Sequence, residues 1–228
     1  MAVTDAAEGP SAIEAHELYR FYHAGDDETF ALRGVSVEIA AGEMVAVVGP
    51  SGSGKSTLLN CLAGLDEPDG GHVALFGKRL TRRPESQRAR FRAESIGVLM
   101  QSGNLVEHLT VEENVRAAQA LTRGPAPDAR ELLRAVGIED RSWAWPAMLS
   151  GGEAARAGLA VALANDPAVL LADEPTGEVD EANERGILSL LRQRASGGKA
   201  VVVVTHSPRV AEAADRTIRM LDGRIVDA

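Results

Sequence analysis

The chain has 228 residues, of which 45% are hydrophobic and 25% are charged, and its formal net charge at pH 7 is −9. This composition fits a globular protein of one main domain and excludes an intrinsically disordered chain. The negative charge argues mildly against nucleic acid or an anionic membrane as the main partner, and no apolar stretch approaches the ~18 residues of a membrane-spanning helix.

The first residues predict a tail ahead of the domain. Residues 1–12, MAVTDAAEGPSA, have neither a basic opening nor an apolar centre, so they do not fit a secretory signal and are expected to be disordered, with one domain over 13–228. The single cysteine, Cys61, rules out an internal disulfide and fits a reducing compartment. Its helical position among leucines favours a small core residue over a reactive thiol.

Apolar patterns along the chain predict an α/β fold. Alternating segments at 11–21, 34–42, 72–77, 217–223 and 224–228 are typical of half-buried strands. Four runs apolar on both faces predict the central strands of a parallel sheet, namely Met44–Val48, Ile96–Met100, Ala168–Ala172 and Ala200–Val204. Helical patterns cover Lys55–Leu65, Gly151–Ala164 and Asp180–Ala195. Residues from about 102 to 160 are expected to form a helical insertion.

A phosphate-binding loop is predicted between the first apolar run and the first helix. GPSGSGKS fits the pattern G-x-x-x-x-G-K-[ST], in which inward-pointing N–H groups and the positive helix start cradle phosphates. Lys55 is expected to reach the β- and γ-phosphates, and the Ser56 hydroxyl to ligate Mg²⁺. The predicted ATP-binding residues here are Gly49, Pro50, Ser51, Gly52, Ser53, Gly54, Lys55, Ser56 and Thr57.

A basic cluster follows this loop and permits two interpretations. The first is a solvated loop and helix face, which is favoured, and the second is a phosphate-binding patch. Its members are Lys78, Arg79, Arg82, Arg83, Arg88, Arg90 and Arg92.

Three further motifs place polar groups where strands end or helices begin. AVLLADE ends in Asp173 and Glu174, which are placed to hold Mg²⁺ through water and to orient or deprotonate an attacking water. VVVVTH ends in His206, which alone would be a hydrogen-bonded loop residue but beside those acids becomes a candidate γ-phosphate sensor. LSGGE at 149–153 opens a helix and is a second candidate anion loop, and Trp143 and Trp145 just before it are expected to be packing residues.

The order of these motifs resembles the ATP-binding subunit of ATP-binding-cassette (ABC) transporters over about residues 13–227. The resemblance implies a P-loop NTPase core with a mostly parallel sheet, an N-terminal antiparallel β subdomain and an inserted α-helical subdomain. It identifies the Walker A loop at 49–56, the Q-loop glutamine Gln101, the signature at 149–153, the Walker B strand at 169–173, the D-loop at 177–180 and the switch histidine His206.

The resemblance also implies how the site works. Two copies pair head to tail as a homodimer around ATP and Mg²⁺, so that the signature of one copy caps the nucleotide held by the other. The implied catalytic residues are Glu174, His206, Gln101 and Lys55, and the implied metal-binding residues are Ser56, Gln101 and, through water, Asp173. The residues implied to contact ATP in trans are Ser150, Gly151, Gly152, Glu153 and Asp180. Tyr22 stands where an aromatic stacks on adenine, with packing within its strand as the alternative.

Two segments, FRAESIGVLMQSGNLVEHLTVEENV and ADEPTGEVD, look most like the lipoprotein-release, macrolide-export and cell-division ATPases. This likeness implies a peripheral subunit on the cytoplasmic face of the cell membrane. It would drive a permease of few spans that exports or extracts a lipid-linked, peptide or hydrophobic substrate, with an extracytoplasmic adaptor as an optional partner and no role for nucleic acid. Leu105, Val106 and Leu109 would either receive the permease or pack the helical insertion. The alternatives are an ATPase of a cell-division type regulatory complex, a soluble ABC ATPase, and a nucleotide kinase, which would leave LSGGE and His206 without a role.

Overall fold

The computed structural model describes residues 11–24, 27–177 and 179–228, whose strands form two sheets. The smaller sheet is antiparallel, with the strand order β2-β1-β4-β5. Its long first hairpin pairs Ser11 with Ala40 at one end and Ala24 with Asp27 at the other. The four strands are β1 (Ser11–Ala24), β2 (Asp27–Ala40), β4 (Gly70–Leu75) and β5 (Lys78–Arg79).

The larger sheet has six strands in the order β10-β9-β3-β8-β7-β6. Neighbouring strands from β9 to β6 are parallel, and β10 is antiparallel to β9 at the edge. Both β7 and β8 are buried at every residue, as their apolar runs predicted. The strands are β3 (Met44–Val48), β6 (Ile96–Leu99), β7 (Val169–Asp173), β8 (Ala200–Val204), β9 (Arg216–Leu221) and β10 (Arg224–Asp227). The predicted α/β fold class is confirmed.

In the described residues, seven α-helices cover the larger sheet and form the insertion. They are α1 (Lys55–Leu62), α2 (Glu85–Ser95), α3 (Val111–Gln119), α4 (Ala129–Ala135), α5 (Gly151–Ala162), α6 (Glu181–Ser196) and α7 (Pro208–Ala213). Short 3₁₀ turns at Glu139–Arg141 and Pro146–Met148 link α4 to α5. The helices α3, α4 and α5 pack on one another around a shared apolar cluster that includes Val115, Leu133 and Leu159.

The predicted end of the first helix needs a correction. Helix α1 stops at Leu62, three residues before the predicted end at Leu65. The chain turns at Gly64, whose φ is 64°, and the N–H groups of Leu65 and Asp66 both donate to the Asn60 carbonyl at 2.9 and 3.2 Å. Glycine tolerates this left-handed backbone and lets the chain leave the helix. Leu65 still fits the leucine spacing, which is why the sequence pattern placed the end of the helix too late.

The predicted tail also needs a correction at its last two residues. Residues 1–10 lie outside the described residues, whereas Ser11 and Ala12 are the first residues of β1. Ala12 is fully buried in the core between the two sheets, so the domain includes it. Its small apolar side chain fits a buried strand position. The polar residues before it made this part of the chain look like a continuation of the tail.

The core contains Cys61 on α1. The thiol is fully buried, and burial raises its pKa to about 12, which agrees with the predicted role of a small core residue. A thiolate at neutral pH is therefore excluded. Across the ranges that the structure describes, every helix is too short or too polar to cross a bilayer.

Candidate functional site

The phosphate loop between β3 and α1 packs tightly on neighbouring strands. A Cβ on Gly54, where φ is 97°, would lie 2.2 Å from the Ala31 carbonyl oxygen, and one on Gly49 would lie 2.2 Å from that of Met220. Ser53 is buried, and its carbonyl accepts from Gly223 N at 3.1 Å. Only glycine permits these contacts, so β2 and β9 pack directly against the loop and fix its shape.

The start of α1 is open to an anion. Its N-cap is Gly54, no side chain caps the helix, and its first turn carries no acid. Free N–H groups and the helix dipole therefore favour negative charge at this point. Lys55 is only 7% exposed and donates to the carbonyl oxygens of Gly49 and Pro50, each at 2.9 Å. Burial lowers the Lys55 pKa, and the negative charges of Glu174 and Asp173 oppose this shift.

Two acids lie where β7 ends. Asp173 is 5% exposed, and Glu174 follows it with a left-handed φ of 50°, held by a hydrogen bond from its N–H to the Val204 carbonyl at 2.9 Å. Glu174 Oε2 accepts from the N–H of His206 at 3.3 Å and lies 3.5 Å from the Thr205 hydroxyl. Glu174 Oε1 lies 3.6 Å from His206 Nε2 and is buried without a hydrogen-bond partner.

A cavity of about 900 Å³ joins the phosphate loop to the acids and to the start of α5. The side chains that line it include cationic, acidic and hydroxyl groups from different parts of the chain. Of the predicted site residues, it brings together Ser51, Gly52, Lys55, Ser56, Gln101, Gly151, Asp173, Glu174 and His206. The adenine, signature-cap and D-loop candidates Tyr22, Ser150 and Asp180 are not among its lining residues.

Tyr22 is fixed by a charged network beside α1. Its hydroxyl donates to Asp66 Oδ2 at 2.6 Å, and the Arg20 guanidinium lies 4.6 Å from the centre of the ring. Arg20 also bonds to Asp66 and Asp69. Burial and then the Asp66 bond raise the Tyr22 pKa, against a smaller opposing bond from Thr57. The ring is 39% exposed, so it can still meet a flat ligand.

The signature loop is stabilised by a capping box. Ser150 is the N-cap of α5, its hydroxyl accepts from Glu153 N at 3.3 Å, and its N–H donates to Glu153 Oε2 at 2.8 Å. Arg141 donates to the other carboxylate oxygen at 2.9 Å. The Ser150 N–H and then Arg141 lower the Glu153 pKa to about 2.

The contact of Glu153 with ATP in trans stays a prediction. Both carboxylate oxygens are bonded within their own subunit, and a negative group turned towards a triphosphate would repel it. Within the subunit, Glu153 positions Ser150 through the capping box.

The D-loop segment is described except for Glu178, which lies outside the described residues. Asp180 is the N-cap of α6 and accepts from Asn183 N at 2.9 Å and from Asn183 Nδ2 at 2.7 Å. This cap explains why the helix begins at Glu181 rather than at the predicted Asp180. The contact of Asp180 with ATP in trans stays a prediction.

The segment after Gln101 is held by a partly buried asparagine, Asn104. Gln101 is exposed on the cavity, and the Asn104 side chain bonds both the N–H and the C=O of Met100, at 2.7 and 2.6 Å. A Cβ on Gly158 of α5 would lie 2.8 Å from the Asn104 Cβ. The glutamine segment and the signature helix therefore pack in direct contact.

The apolar residues that follow divide between the two predicted roles. Leu105 packs against the core of the helical insertion, whereas Val106 is 55% exposed. The Asn114 amide fixes this turn through bonds to the main chain of Val106, Leu109 and Thr110. The turn is thus a preformed surface, and a permease contact there stays a prediction.

Trp143 and Trp145, which precede the signature, were expected from the sequence to be packing residues. Both are instead exposed, and Trp143 Nε1 donates to the Asp140 carbonyl at 3.1 Å. Both lie between the two short 3₁₀ turns that link α4 to α5.

Sequence reasoning missed the residues that hold these groups in place. Arg20 and Asp66 fix Tyr22, Arg141 fixes Glu153, and Asn104 fixes the main chain beside Gln101. Of these, only the Ser-x-x-Glu spacing of the capping box carries a local sequence signal. The other contacts join residues far apart in the chain.

The oxygen donors fit magnesium rather than a softer metal. The described residues contain no group of three His, Cys, Asp or Glu that could hold a metal ion. Ser56, Gln101 and Asp173 nevertheless offer hydroxyl, amide and carboxylate oxygens to one cavity, beside the unpartnered Glu174 Oε1. Mg²⁺ takes few protein ligands and completes its shell with water and substrate phosphates, which suits such a set.

Comparison with known proteins shows the family. The family described as ABC transporter matches residues 32–177. The macrolide export ATP-binding/permease protein MacB of Shigella flexneri is 42% identical over 223 residues, and MacB of Escherichia coli K12 is 41% identical. The match covers 94% of this chain but 34% of each relative, so the chain spans about a third of their length.

Solved structures agree. The dimeric ATP-binding cassette MJ0796 in a post-hydrolysis state with ADP and Pi superposes with a TM-score of 0.90 and 34% identity. This match covers 94% of this chain and 97% of that one. A second dimeric structure of MJ0796, described as a bacterial ABC transporter cassette, also has a TM-score of 0.90, with 35% identity.

Proposed function

This chain belongs to the ABC transporter family as a nucleotide-binding ATPase domain, and we propose that it hydrolyses Mg²⁺-ATP at a dimer interface to drive a membrane permease. The cavity between the phosphate loop and the β7 acids is the proposed hydrolysis site. The observation that carries the proposal is Glu174, a carboxylate that lines this cavity with one oxygen held by the His206 N–H and the other without a hydrogen-bond partner.

Triphosphate binding is assigned to the phosphate loop. The uncapped start of α1 attracts the phosphates, and Lys55, now bonded to carbonyls of its own loop, would exchange those bonds for phosphate oxygens. Ser56, Gln101 and, through water, Asp173 would hold Mg²⁺, which neutralises phosphate charge when bound. The charges of Asp173 and Glu174 near Lys55 support this arrangement.

Hydrolysis is assigned to Glu174. The His206 N–H bonds Oε2, so the carboxylate cannot rotate freely, and Oε1 is left to accept a proton from the attacking water. His206 Nε2 lies 3.6 Å from that oxygen, where it would contact the γ-phosphate and report its presence. A preorganised base beside a buried lysine lowers the cost of charge development.

The second anion loop is assigned to the nucleotide of a partner copy. Ser150 caps the start of α5, and Gly151 and Gly152 form its first turn, where the helix dipole favours an anion. In this proposal they cap the γ-phosphate across a homodimer, Asp180 contacts the same site, and ATP joins the copies until hydrolysis removes that bond. The dimeric relatives with the same fold support this assembly.

The task is assigned from the relatives. MacB is named a macrolide export ATP-binding/permease protein, and the whole match lies in a third of its length. We therefore assign this domain to the cytoplasmic face of the cell membrane, beside a permease that exports or extracts a hydrophobic, peptide or lipid-linked substrate. The exposed turn at Val106 is a candidate contact for the permease.

The test is a comparison of Glu174→Gln with a matched control. Glu174→Gln should lower Mg²⁺-ATP turnover at least ~10²-fold, as removal of one preorganised catalytic group does, while ATP binding is retained. It should also trap an ATP-bound dimer in light scattering. Glu38→Gln changes an exposed carboxylate on β2 and should alter neither property. Near-normal hydrolysis by Glu174→Gln would refute the assigned role.

A further inference from the structure

An aromatic side chain occupies the tip of the β4–β5 hairpin under backbone strain. Leu75 pairs with Lys78, so Phe76 and Gly77 form a two-residue turn, with φ of 49° and 70°. Such a turn needs left-handed backbone at both positions, which asparagine or aspartate followed by glycine meets with least strain. A phenylalanine there is an outlier, and its ring is 43% exposed. Strain of this kind points to a function for the side chain.

Exposed cations follow this aromatic tip along the chain. Lys78, Arg79, Arg82 and Arg83 are all exposed, and none forms an ion pair with a carboxylate in the part of the chain that the structure describes. Arg82 is itself left-handed, with φ of 58°. The other arginines of the basic cluster differ, since Arg88 and Arg92 pair with Glu67 or Glu85 and Arg90 pairs with Glu94.

We propose that this hairpin, Phe76 with Lys78, Arg79, Arg82 and Arg83, binds the surface of an anionic phospholipid bilayer. An exposed ring flanked by unpaired cations matches the chemistry of the membrane interface, where the ring enters the headgroup layer and the cations meet lipid phosphates. One ring on a convex tip does not provide the groove or the stacked platform that a polynucleotide needs. The basic cluster thus divides into a self-neutralised helix face and a lipid-binding hairpin.

The experiment uses flotation of the full chain with vesicles that contain no permease. Wild-type protein should float with vesicles of equal phosphatidylglycerol and phosphatidylcholine at low salt, and not with phosphatidylcholine alone. Lys78→Gln with Arg82→Gln should reduce partition about 25-fold, that is, about fivefold for each cation. Phe76→Asn should reduce partition roughly three- to fivefold. The effect is modest because only the exposed part of the ring can move from water into the bilayer.

Two controls keep loss of fold apart from loss of binding. Phe76→Asn should raise the melting temperature, because asparagine tolerates the left-handed turn. Arg123→Gln removes an exposed arginine from the helical insertion and should leave partition unchanged. Nucleotide affinity, measured on every variant without vesicles, should stay at the wild-type value, so this test stands apart from the hydrolysis assignments.

Three outcomes would overturn the proposal. Equal partition into anionic and neutral vesicles would remove the charge argument. Loss with the cation variant but none with Phe76→Asn would leave only unspecific attraction and no anchored tip. Absence of wild-type binding to anionic vesicles, together with hairpin-dependent capture by an acidic peptide, would assign the patch to a protein partner instead.

Discussion

Tyr22 offers the sharpest test of how the nucleotide base is recognised. Stacking of a base on an aromatic side chain contributes about 1–3 kcal/mol. Arg20 already covers one side of the ring at 4.6 Å, so one face remains and we expect a value near the lower end, about 1.4 kcal/mol. Tyr22→Ala should therefore raise the Kd for ATP about tenfold. Tyr22→Phe keeps the ring but loses the hydroxyl bond to Asp66, so a two- to fivefold increase is expected, equivalent to about 0.5–1 kcal/mol.

The assay is calorimetric titration of each variant with ATP and, separately, with inorganic tripolyphosphate. Tripolyphosphate has no base, so its affinity should be the same for wild type and both Tyr22 variants. Tyr19→Ala, which removes an exposed tyrosine from the same strand, is the matched control and should bind ATP normally. If Tyr22→Ala binds ATP as well as wild type, or loses tripolyphosphate to the same degree, the ring is a packing residue and the adenine assignment is refuted.

Two predictions concern the two anion loops. Glu153→Gln should lower thermal stability near pH 7, and the difference should vanish as the pH falls from about 4.5 towards 2, since the folded carboxylate has a pKa of about 2 against a usual 4.5 and its contribution is lost on protonation; a pH-independent difference would contradict the capping role. Gly54→Ala should destabilise the fold in urea by more than ~1 kcal/mol, because its Cβ would lie 2.2 Å from Ala31 O. Gly52→Ala, also left-handed but with nothing within 4 Å, should cost less, and equal costs would show that backbone strain alone matters.

The main sheet could be predicted because each central strand is apolar on both faces. Residues 169–173 and 200–204 are buried on both faces, as central strands of a parallel sheet covered by helices must be. Since the carboxyl ends of neighbouring parallel strands meet at one edge of the sheet, Asp173 and His206 come together there. The phosphate loop could be predicted equally well, because its glycine spacing is required by the backbone conformation of the loop itself. These features depend on neighbours along the chain.

Other features depend on contacts that no local pattern encodes. The bonds that Glu153 forms with Arg141 and Ser150 within the subunit are one example, because its position in the signature motif gives no sign of Arg141. The end of α1 was misjudged because leucine spacing continues through a left-handed glycine. Trp143 and Trp145 were misjudged because burial follows from the path of the chain, not from hydrophobicity alone.

The close approach of Gly158 to Asn104 links helix α5 to the segment that carries Gln101. With only 2.8 Å available for a Cβ, the helix that opens with the Ser-Gly-Gly turn cannot slide over the segment that carries Gln101. In the proposed dimer, a displacement of Gln101 on nucleotide binding would therefore be passed to the signature loop that the same subunit presents to its neighbour's nucleotide. Each copy would sense its own nucleotide and act on that of its partner. The occupancy of the two ATP sites would then be coupled through the contact between Gly158 and Asn104 in each copy.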